Sequence, residues 1–93
     1  MLSDKQKKAF RAQGHTLQPV VLVGKDNLTE GVLAAVDTAL TAHELIKVKL
    51  LQSASVDKDD AANKLCDATG AELIQRVGRV ALLYRPRPEH DNE

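Results

Sequence analysis

A chain of 93 residues is long enough for one domain with a single hydrophobic core, and it is too short for a catalytic barrel or a complete dinucleotide-binding fold. Hydrophobic residues make up 43% of the chain and charged residues 28%, a balance typical of globular proteins, and Phe10 and Tyr84 are its aromatic residues. The formal net charge of zero hides an uneven distribution: residues 1–25 carry five basic residues and one acidic residue, residues 26–75 carry four and nine, and residues 76–93 carry four and three.

Composition also restricts the expected location and chemistry. No apolar run approaches the ~20 residues of a membrane helix, and the first residues lack the hydrophobic stretch of a signal peptide, so we expect a cytoplasmic protein without a membrane partner. Cys66 is the single cysteine, so the chain forms no internal disulfide and no thiolate metal site. The lone histidines His15 and His43 favour structural contacts over metal ligation, and we expect neither a cofactor nor a metal.

The first two elements are predicted to be a helix and a buried strand. Ser3 is a typical N-cap residue for a helix that runs to about Gln13, and Gly14 is predicted to stop that helix. Residues 20–23 are all apolar, as expected for a strand in a sheet that is covered on both faces.

A second helix and a second strand follow. Asn27 and Glu30 have the spacing of a capping box, which predicts a helix from Leu28 to about Ala42 with an apolar stripe at helical spacing. Residues 45–51 then alternate, so that Lys47 and Lys49 lie about 7 Å apart on one face of a strand.

The rest of the chain predicts a helix and a hairpin. A third helix opens at Ser55 or Asp57 and stops at Gly70, and residues 72–77 and 80–85 form two strands about a turn at Gly78. The order α-β-α-β-α-β-β predicts a single α/β domain with a mixed four-stranded sheet flanked by three helices. We expect residues 1–86 to form this domain and residues 87–93 to form a charged, disordered tail.

The junction between the first strand and the second helix is the main candidate for a binding site. The loop Gly24-Lys25-Asp26-Asn27 places backbone N–H groups and one ammonium group near a helix start, an arrangement that suits a phosphate. It is not a nucleotide-binding P-loop, because Pro19 stands where the first glycine belongs and no Ser or Thr follows Lys25.

Basic residues elsewhere have a binding interpretation and a structural one. The first helix carries a basic cluster that is either an ordinary solvated face or a binding patch: Lys5, Lys7, Lys8 and Arg11. Lys47 and Lys49 are either the polar side of a strand or part of that patch. The arginines of the hairpin, Arg76, Arg79 and Arg85, either protect a sheet edge or contact a ligand. The candidate binding residues are Gly24, Lys25, Asn27, Leu28, Lys5, Lys8, Arg11, Lys47, Lys49, Arg76 and Arg79.

Taken in order, the motifs of the chain resemble a known family over residues 2–86. The matching segments are residues 2–8, 15–23, Gly24-Lys25, 28–30, 43–49, 69–71 and 83–86. They are similar to the stand-alone bacterial (YhbY-like) form of the CRM domain, the chloroplast RNA splicing and ribosome maturation domain. The resemblance implies a fold like the C-terminal domain of bacterial initiation factor three, non-enzymatic RNA binding, and association with precursors of the large ribosomal subunit.

The loop departs from the family pattern, in which a Gly-x-x-Gly turn touches RNA. Asn27 stands at the second glycine position, where asparagine is the next most tolerant residue for positive φ. Asp26 adds a carboxylate that repels a phosphate unless it points away or pairs with Lys25.

The sequence therefore predicts a non-enzymatic RNA-binding protein that docks on ribosomal RNA by shape and backbone charge, with no small-molecule substrate. No paired acid and base or activated nucleophile supports an enzyme. The alternative is a protein-interaction module that meets ribosomal particles through the acidic middle of the chain, with RNA contact incidental.

Overall fold

The computed structural model describes residues 2–87 and confirms the predicted fold class. The seven elements run in the order helix, strand, helix, strand, helix, strand, strand. They are α1 (Asp4–Gly14), β1 (Pro19–Val23), α2 (Glu30–His43), β2 (Leu45–Leu50), α3 (Lys58–Thr69), β3 (Glu72–Val77) and β4 (Val80–Tyr84). Of the predicted tail, residues 88–93 lie outside the described residues.

The sheet has the strand order β1-β2-β4-β3. β1 and β2 are parallel, and β4 is antiparallel to both of its neighbours, so β1, β2 and β3 share one direction. Because β1, β2 and β3 finish at the end where β4 begins, three connections meet there: residues 24–29, residues 51–57 and the Gly78-Arg79 turn. We call this the loop end of the sheet.

Two apolar clusters cover the two faces of the sheet. The larger one lies under α2 and α3 and is entirely aliphatic, with Val23, Val36, Leu40, Leu65 and Leu83 fully buried. The smaller one lies under α1 and contains Leu45, Ile74 and Leu82, joined by the partly buried residues Leu2, Phe10, Leu17 and Tyr84. The rings of Phe10 and Tyr84 stack with centroids 4.3 Å apart.

Gly14 does not stop α1 in the predicted way. Gly14 is instead the last residue of α1 and is buried. The C-cap is His15, which has a right-handed helical conformation (φ −59°). A Cβ atom at Gly14 would lie 2.7 Å from Cδ2 of Leu82, so the glycine allows α1 to approach β4 closely. The predicted N-cap is confirmed, since Ser3 and Gln6 form a reciprocal capping box.

We expect Gly14→Ala and Gly31→Ala to change stability in different directions. Both glycines are helical, but a Cβ at exposed Gly31 would meet only the Thr29 hydroxyl, at 3.7 Å. Alanine at residue 31 should therefore raise the free energy of unfolding by about 0.5–1 kcal/mol. Alanine at residue 14 brings the same gain in helix propensity, but overpacking against Leu82 costs about 1–3 kcal/mol, so the free energy of unfolding should fall. Urea unfolding measures both variants, and equal stabilisation would contradict the close packing of α1 on Leu82.

The predicted start of α2 was wrong. The helix begins at Glu30 with Thr29 as its N-cap, whose hydroxyl accepts a hydrogen bond from the Val32 N–H. Asn27 cannot cap the helix because it has a left-handed conformation (φ 59°) and its side chain contacts another loop. The other helix signals are confirmed: Asp57 caps α3, and Gly70 (φ 73°) ends it.

Candidate nucleic-acid interface

The first connection at the loop end is a tight turn over Gly24-Lys25-Asp26-Asn27. The Asn27 N–H donates to the Gly24 carbonyl at 2.9 Å. A Cβ at Gly24 would meet only the Ser53 hydroxyl, at 3.8 Å, and the positive-φ glycines of the described chain are Gly70 and Gly78. The fold itself therefore does not require glycine at residue 24, and the approach of a ligand to Gly24 stays a prediction.

Asn27 fastens this turn to the second connection. Its side-chain Oδ1 accepts from the N–H groups of Ser55 (2.9 Å) and Val56 (3.0 Å), and its Nδ2 donates to Oγ of Ser55 at 3.1 Å. We call this three-bond contact the Asn27 latch. Both the N–H and the side chain of Asn27 are thus engaged within the protein, so a direct RNA contact by this residue stays a prediction. Leu28 is half-buried against the larger cluster, and a contact through its N–H also stays a prediction.

The latch can be tested with two substitutions at residue 27. Asn27→Gly suits the positive φ but removes all three hydrogen bonds, so we expect the free energy of unfolding to fall by about 1–3 kcal/mol. Asn27→Asp retains the acceptor oxygen and should lose less. Urea unfolding gives the energies, and hydrogen exchange at the Ser55 and Val56 amides reports the loop directly. Unchanged exchange in Asn27→Gly would show that the latch does not hold these connections together.

Arg79, in the third connection, also holds residues 50–54. Its guanidinium donates from Nε to the Leu50 carbonyl (3.1 Å) and from Nη2 to the carbonyls of Leu51 (2.9 Å) and Ala54 (3.4 Å). All three connections are therefore joined by side-chain-to-backbone hydrogen bonds. The geometry gives Arg79 a structural role, and its RNA contact stays a prediction.

Arg76 is directed away from the lysines of the sheet. Its Nε lies 2.5 Å from Oδ1 of Asp59 on α3, and its Nη1 donates to the Gly78 carbonyl at 2.6 Å. The structure therefore does not bring Arg76 together with Lys47 and Lys49, and an RNA contact by Arg76 stays a prediction.

Lys47 and Lys49 lie on the α1 face of the sheet, on the same side of β2 as predicted. Lys49 is exposed and lies beside Leu22 of β1 and Val80 of β4, close to the Gly24 turn. Lys47 is half-buried and lines a groove together with Arg11 of α1. Among residues 2–87, no carboxylate lies within 4.0 Å of the ammonium groups of Lys25, Lys47 or Lys49.

The basic residues of α1 are divided between this groove and solvent. Arg11 is half-buried at the groove, whereas Lys5 and Lys8 are exposed on the preceding turns of the helix. α1 packs on β2 and β3, which brings the positive charge of the chain's first segment to the face that carries Lys47 and Lys49. The structure thus joins Arg11 with Lys47, and binding by Lys5 and Lys8 stays a prediction.

Asp26 belongs to the same turn as Lys25 but lines a cavity on the α2 and α3 side of the sheet. It lines a cavity of about 620 Å³ with Lys64 and Asp67 of α3, under the α2 and α3 face. Within residues 2–87 it forms no ion pair with Lys25. The position of Asp26 in that cavity reduces its repulsion toward an anion held on the lysine face.

Sequence reasoning missed the polar contacts that connect distant elements. The guanidinium of Arg85 donates to Oδ1 and the carbonyl of Asp37, to Oγ1 of Thr41 and to the Thr69 carbonyl, and so joins the end of β4 to α2 and α3. Arg87 contacts the Ala42 carbonyl and Glu44. Asparagine at a glycine position of the family pattern indicated a positive φ at residue 27, but nothing in the sequence indicated Ser55 as the partner of its side chain.

Groups with catalytic or metal-binding potential are few in the described part of the chain. Residues 2–87 contain no cluster of three or more His, Cys, Asp or Glu residues arranged to hold a metal ion. Burial raises the pKa of the Cys66 thiol, and the charges of Asp67 and Glu72 raise it further, so the thiol stays protonated at neutral pH. No helix among these residues has the length and apolar character needed to cross a membrane.

Comparison with known proteins decides the family. The model of the CRS1 / YhbY (CRM) domain matches residues 2–85. The chain belongs to the CRM family. The family resemblance noted in the sequence is thereby confirmed, and the match spans every helix and strand of the fold.

Two bacterial relatives match almost the whole of this chain. A protein of Pseudomonas aeruginosa named "Probable RNA-binding protein" is 44% identical over 88 residues, which are 95% of this chain and 85% of that protein. The Bacillus subtilis "Probable RNA-binding protein YqeI" is 37% identical over 90 residues, 97% of this chain and 94% of that protein. These names indicate RNA-binding proteins rather than enzymes.

A solved structure shares the fold. The solution structure of the hypothetical protein SAV1595 from Staphylococcus aureus, a candidate RNA-binding protein, superimposes with a TM-score of 0.78 at 35% identity. The match covers 100% of this chain and 95% of that one. The arrangement of three helices on a mixed four-stranded sheet is thus found in a related protein.

Proposed function

We propose that this CRM domain binds RNA through the loop end of its sheet and the adjoining α1 face. The observation that carries the proposal is that Arg11 and Lys47 line one groove on the face that also carries Lys49, next to the loop end that contains Lys25. None of their side chains forms an ion pair with a carboxylate within residues 2–87, so their charge is available to a ligand. Phosphate groups are the matching partners, since Lys and Arg side chains supply most of the affinity for a nucleic-acid backbone.

The acidic residues among residues 2–87 support this choice, because few of them lie on the α1 face. Most of them are on or next to α2 and α3, on the opposite face: Asp26, Glu30, Asp37, Glu44, Asp57, Asp59, Asp60 and Asp67. Among residues 2–87, positive charge is thereby concentrated on the α1 face, and charges farther apart than a Debye length of about 8 Å are largely screened from each other.

The fixed geometry of the loop end favours binding of a backbone. The Asn27 latch and Arg79 hold the three connections in place before a ligand arrives, so less conformational freedom is lost on binding. Gly24 leaves room for close approach of a phosphate to the turn. We propose that the ligand is ribosomal RNA of the large subunit or its precursor in the cytoplasm, recognised by shape and backbone charge without catalysis.

Salt dependence tests the proposal. If the four cations each neutralise a phosphate, the logarithm of the binding constant should fall with the logarithm of salt concentration with a slope of about −3 to −4. Filter binding on fragments of large-subunit ribosomal RNA, measured over a range of salt concentrations, gives this slope. Weak binding with a slope near zero would contradict docking on phosphates.

The acidic face supports a second candidate, a protein-interaction module on ribosomal particles. Lys58 and Lys64 only partly offset the carboxylates of α3, so this face suits a basic protein surface. Sedimentation with large-subunit particles before and after complete ribonuclease digestion separates the two functions. Binding through RNA predicts that the protein leaves the particles on digestion, and retention would favour the protein partner.

A further inference from the structure

The groove under the C-terminal half of α1 contains apolar and amide side chains that binding of an RNA phosphate backbone does not require. It has a volume of about 260 Å³ and is bounded by Arg11, Gly14 and His15 of α1 and by the sheet. Its polar side chains include the amide of Gln75, which belongs to the edge strand β3. We call this cavity the α1 groove.

Two rows of side chains cross the sheet at the groove. Lys47, Leu82 and Gln75 are register partners on β2, β4 and β3, so one row places an ammonium group and an amide on the two sides of the buried Leu82. In the next row, Lys49 is followed by Val80 and Val77. Adjacent strands lie about 4.8 Å apart, so the three groups of each row span about 10 Å.

The groove also exposes apolar surface. Val77 is 62% exposed although it is a large aliphatic residue on a strand, and Val80 is only half-buried. Exposed apolar surface next to unpaired cations is typical of a binding surface rather than of a solvated one. None of the eight residues that line the groove is acidic.

We propose that the α1 groove holds one unpaired nucleotide of the RNA, with its base against Val77 and Val80, its edge at the Gln75 amide and its phosphate near Arg11 and Lys47. The proposal rests on the RNA binding proposed above and names the form of RNA that this surface takes. A nucleotide combines an anionic group, a flat apolar face and a hydrogen-bonding edge, which matches the cations, the two valines and the glutamine of the groove. Bases inside a duplex are stacked and cannot enter such a groove, so the base must be unpaired.

The experiment compares two RNA hairpins that differ by one unpaired nucleotide in the stem. The unpaired nucleotide is also made as 2-aminopurine, a fluorescent base that reports its surroundings. Two variants change the groove without disturbing buried residues: Gln75→Leu removes the amide at similar size, and Val77→Asp adds a carboxylate at an exposed position. Val20→Asp is the matched control, because Val20 is 51% exposed on the other edge strand and lies outside the groove. Thermal unfolding establishes that each variant is folded.

We expect the wild-type protein to bind the hairpin with the unpaired nucleotide about tenfold more tightly than the paired hairpin, the usual size of one base contact. Gln75→Leu and Val77→Asp should reduce that ratio to about threefold or less and abolish the change in 2-aminopurine fluorescence. Val20→Asp should leave the ratio unchanged.

Four results would overturn the inference. Equal affinity for the two hairpins, with RNA binding intact, would refute the nucleotide site and leave the proposed function standing, whereas no binding of either hairpin would refute both. A preference that survives in both groove variants would place the unpaired nucleotide elsewhere. NMR shifts at Gln75 and Val77 caused by an acidic peptide, but not by RNA, would assign the groove to a protein segment.

Discussion

Reversing the charges of Lys25 and Lys49 together is expected to weaken RNA binding by about 100-fold at moderate salt. Each residue is exposed, and each lies at the loop end without a carboxylate partner among residues 2–87. Changing lysine to glutamate removes one phosphate contact and adds a repulsive charge, and each such change costs about 1–2 kcal/mol of binding free energy. Filter binding of the Lys25→Glu/Lys49→Glu variant measures the effect, and the salt slope should fall by about two.

The control for this variant is Lys58→Glu/Lys64→Glu. These two lysines are exposed on α3, on the acidic face, and their reversal changes the net charge of the protein by the same amount. We expect less than about a threefold loss of affinity, because Lys58 and Lys64 lie on the α3 side of the sheet, away from the groove of Arg11 and Lys47, and repulsion between exposed charges is largely screened beyond about 8 Å. Equal losses in the two double variants would show that net charge, and not the loop end, governs binding.

Removing the side chain of Arg79 is expected to lower the free energy of unfolding by about 2–3 kcal/mol. The guanidinium is the charged donor for the carbonyls of Leu50, Leu51 and Ala54, and hydrogen bonds from charged donors are worth about 1.5–3 kcal/mol. Arg79→Lys keeps the charge but cannot reproduce the planar fork, so it should lose an intermediate amount. Urea unfolding of the two variants and the wild type gives these energies. A fully stable Arg79→Ala would contradict the structural role of the guanidinium.

The same variants decide between the two interpretations of Arg79 in RNA binding. If Arg79 acts by holding residues 50–54 against the rest of the loop end, Arg79→Ala should reduce affinity without changing the salt slope. If it contacts a phosphate directly, the slope should fall by about one. The hydrogen bonds of the guanidinium favour the first result.

The elements that local sequence determines were predicted well. The Ser3 cap, the start of the third helix at Asp57 (predicted as Ser55 or Asp57), the Gly70 stop and the hairpin about Gly78 each depend on residues close together in the sequence, and the structure confirms them. The alternation in β2 likewise placed Lys47 and Lys49 on one face, because the pleat of a strand fixes the side to which each residue points.

The errors and omissions arise where distant residues meet. Gly14 was interpreted as a helix stop because the sequence does not show Leu82 packed against it. Asn27 was interpreted as a helix cap because its partners, Ser55 and Val56, lie 28 and 29 residues away. The role of Arg79 depends on β4 lying between β2 and β3, an order that spacing along the chain does not fix.

Mapping the RNA contacts by NMR tests the central claim most directly. The uniformly ¹⁵N-labelled protein is titrated with a fragment of large-subunit ribosomal RNA, and amide shifts are recorded for residues 2–87. Binding through the loop end predicts that the largest shifts fall at residues 24–28, at Lys47 and Lys49, and in the C-terminal half of α1, with α3 unaffected. Shifts concentrated in α2 and α3, with residues 24–28 unchanged, would contradict it.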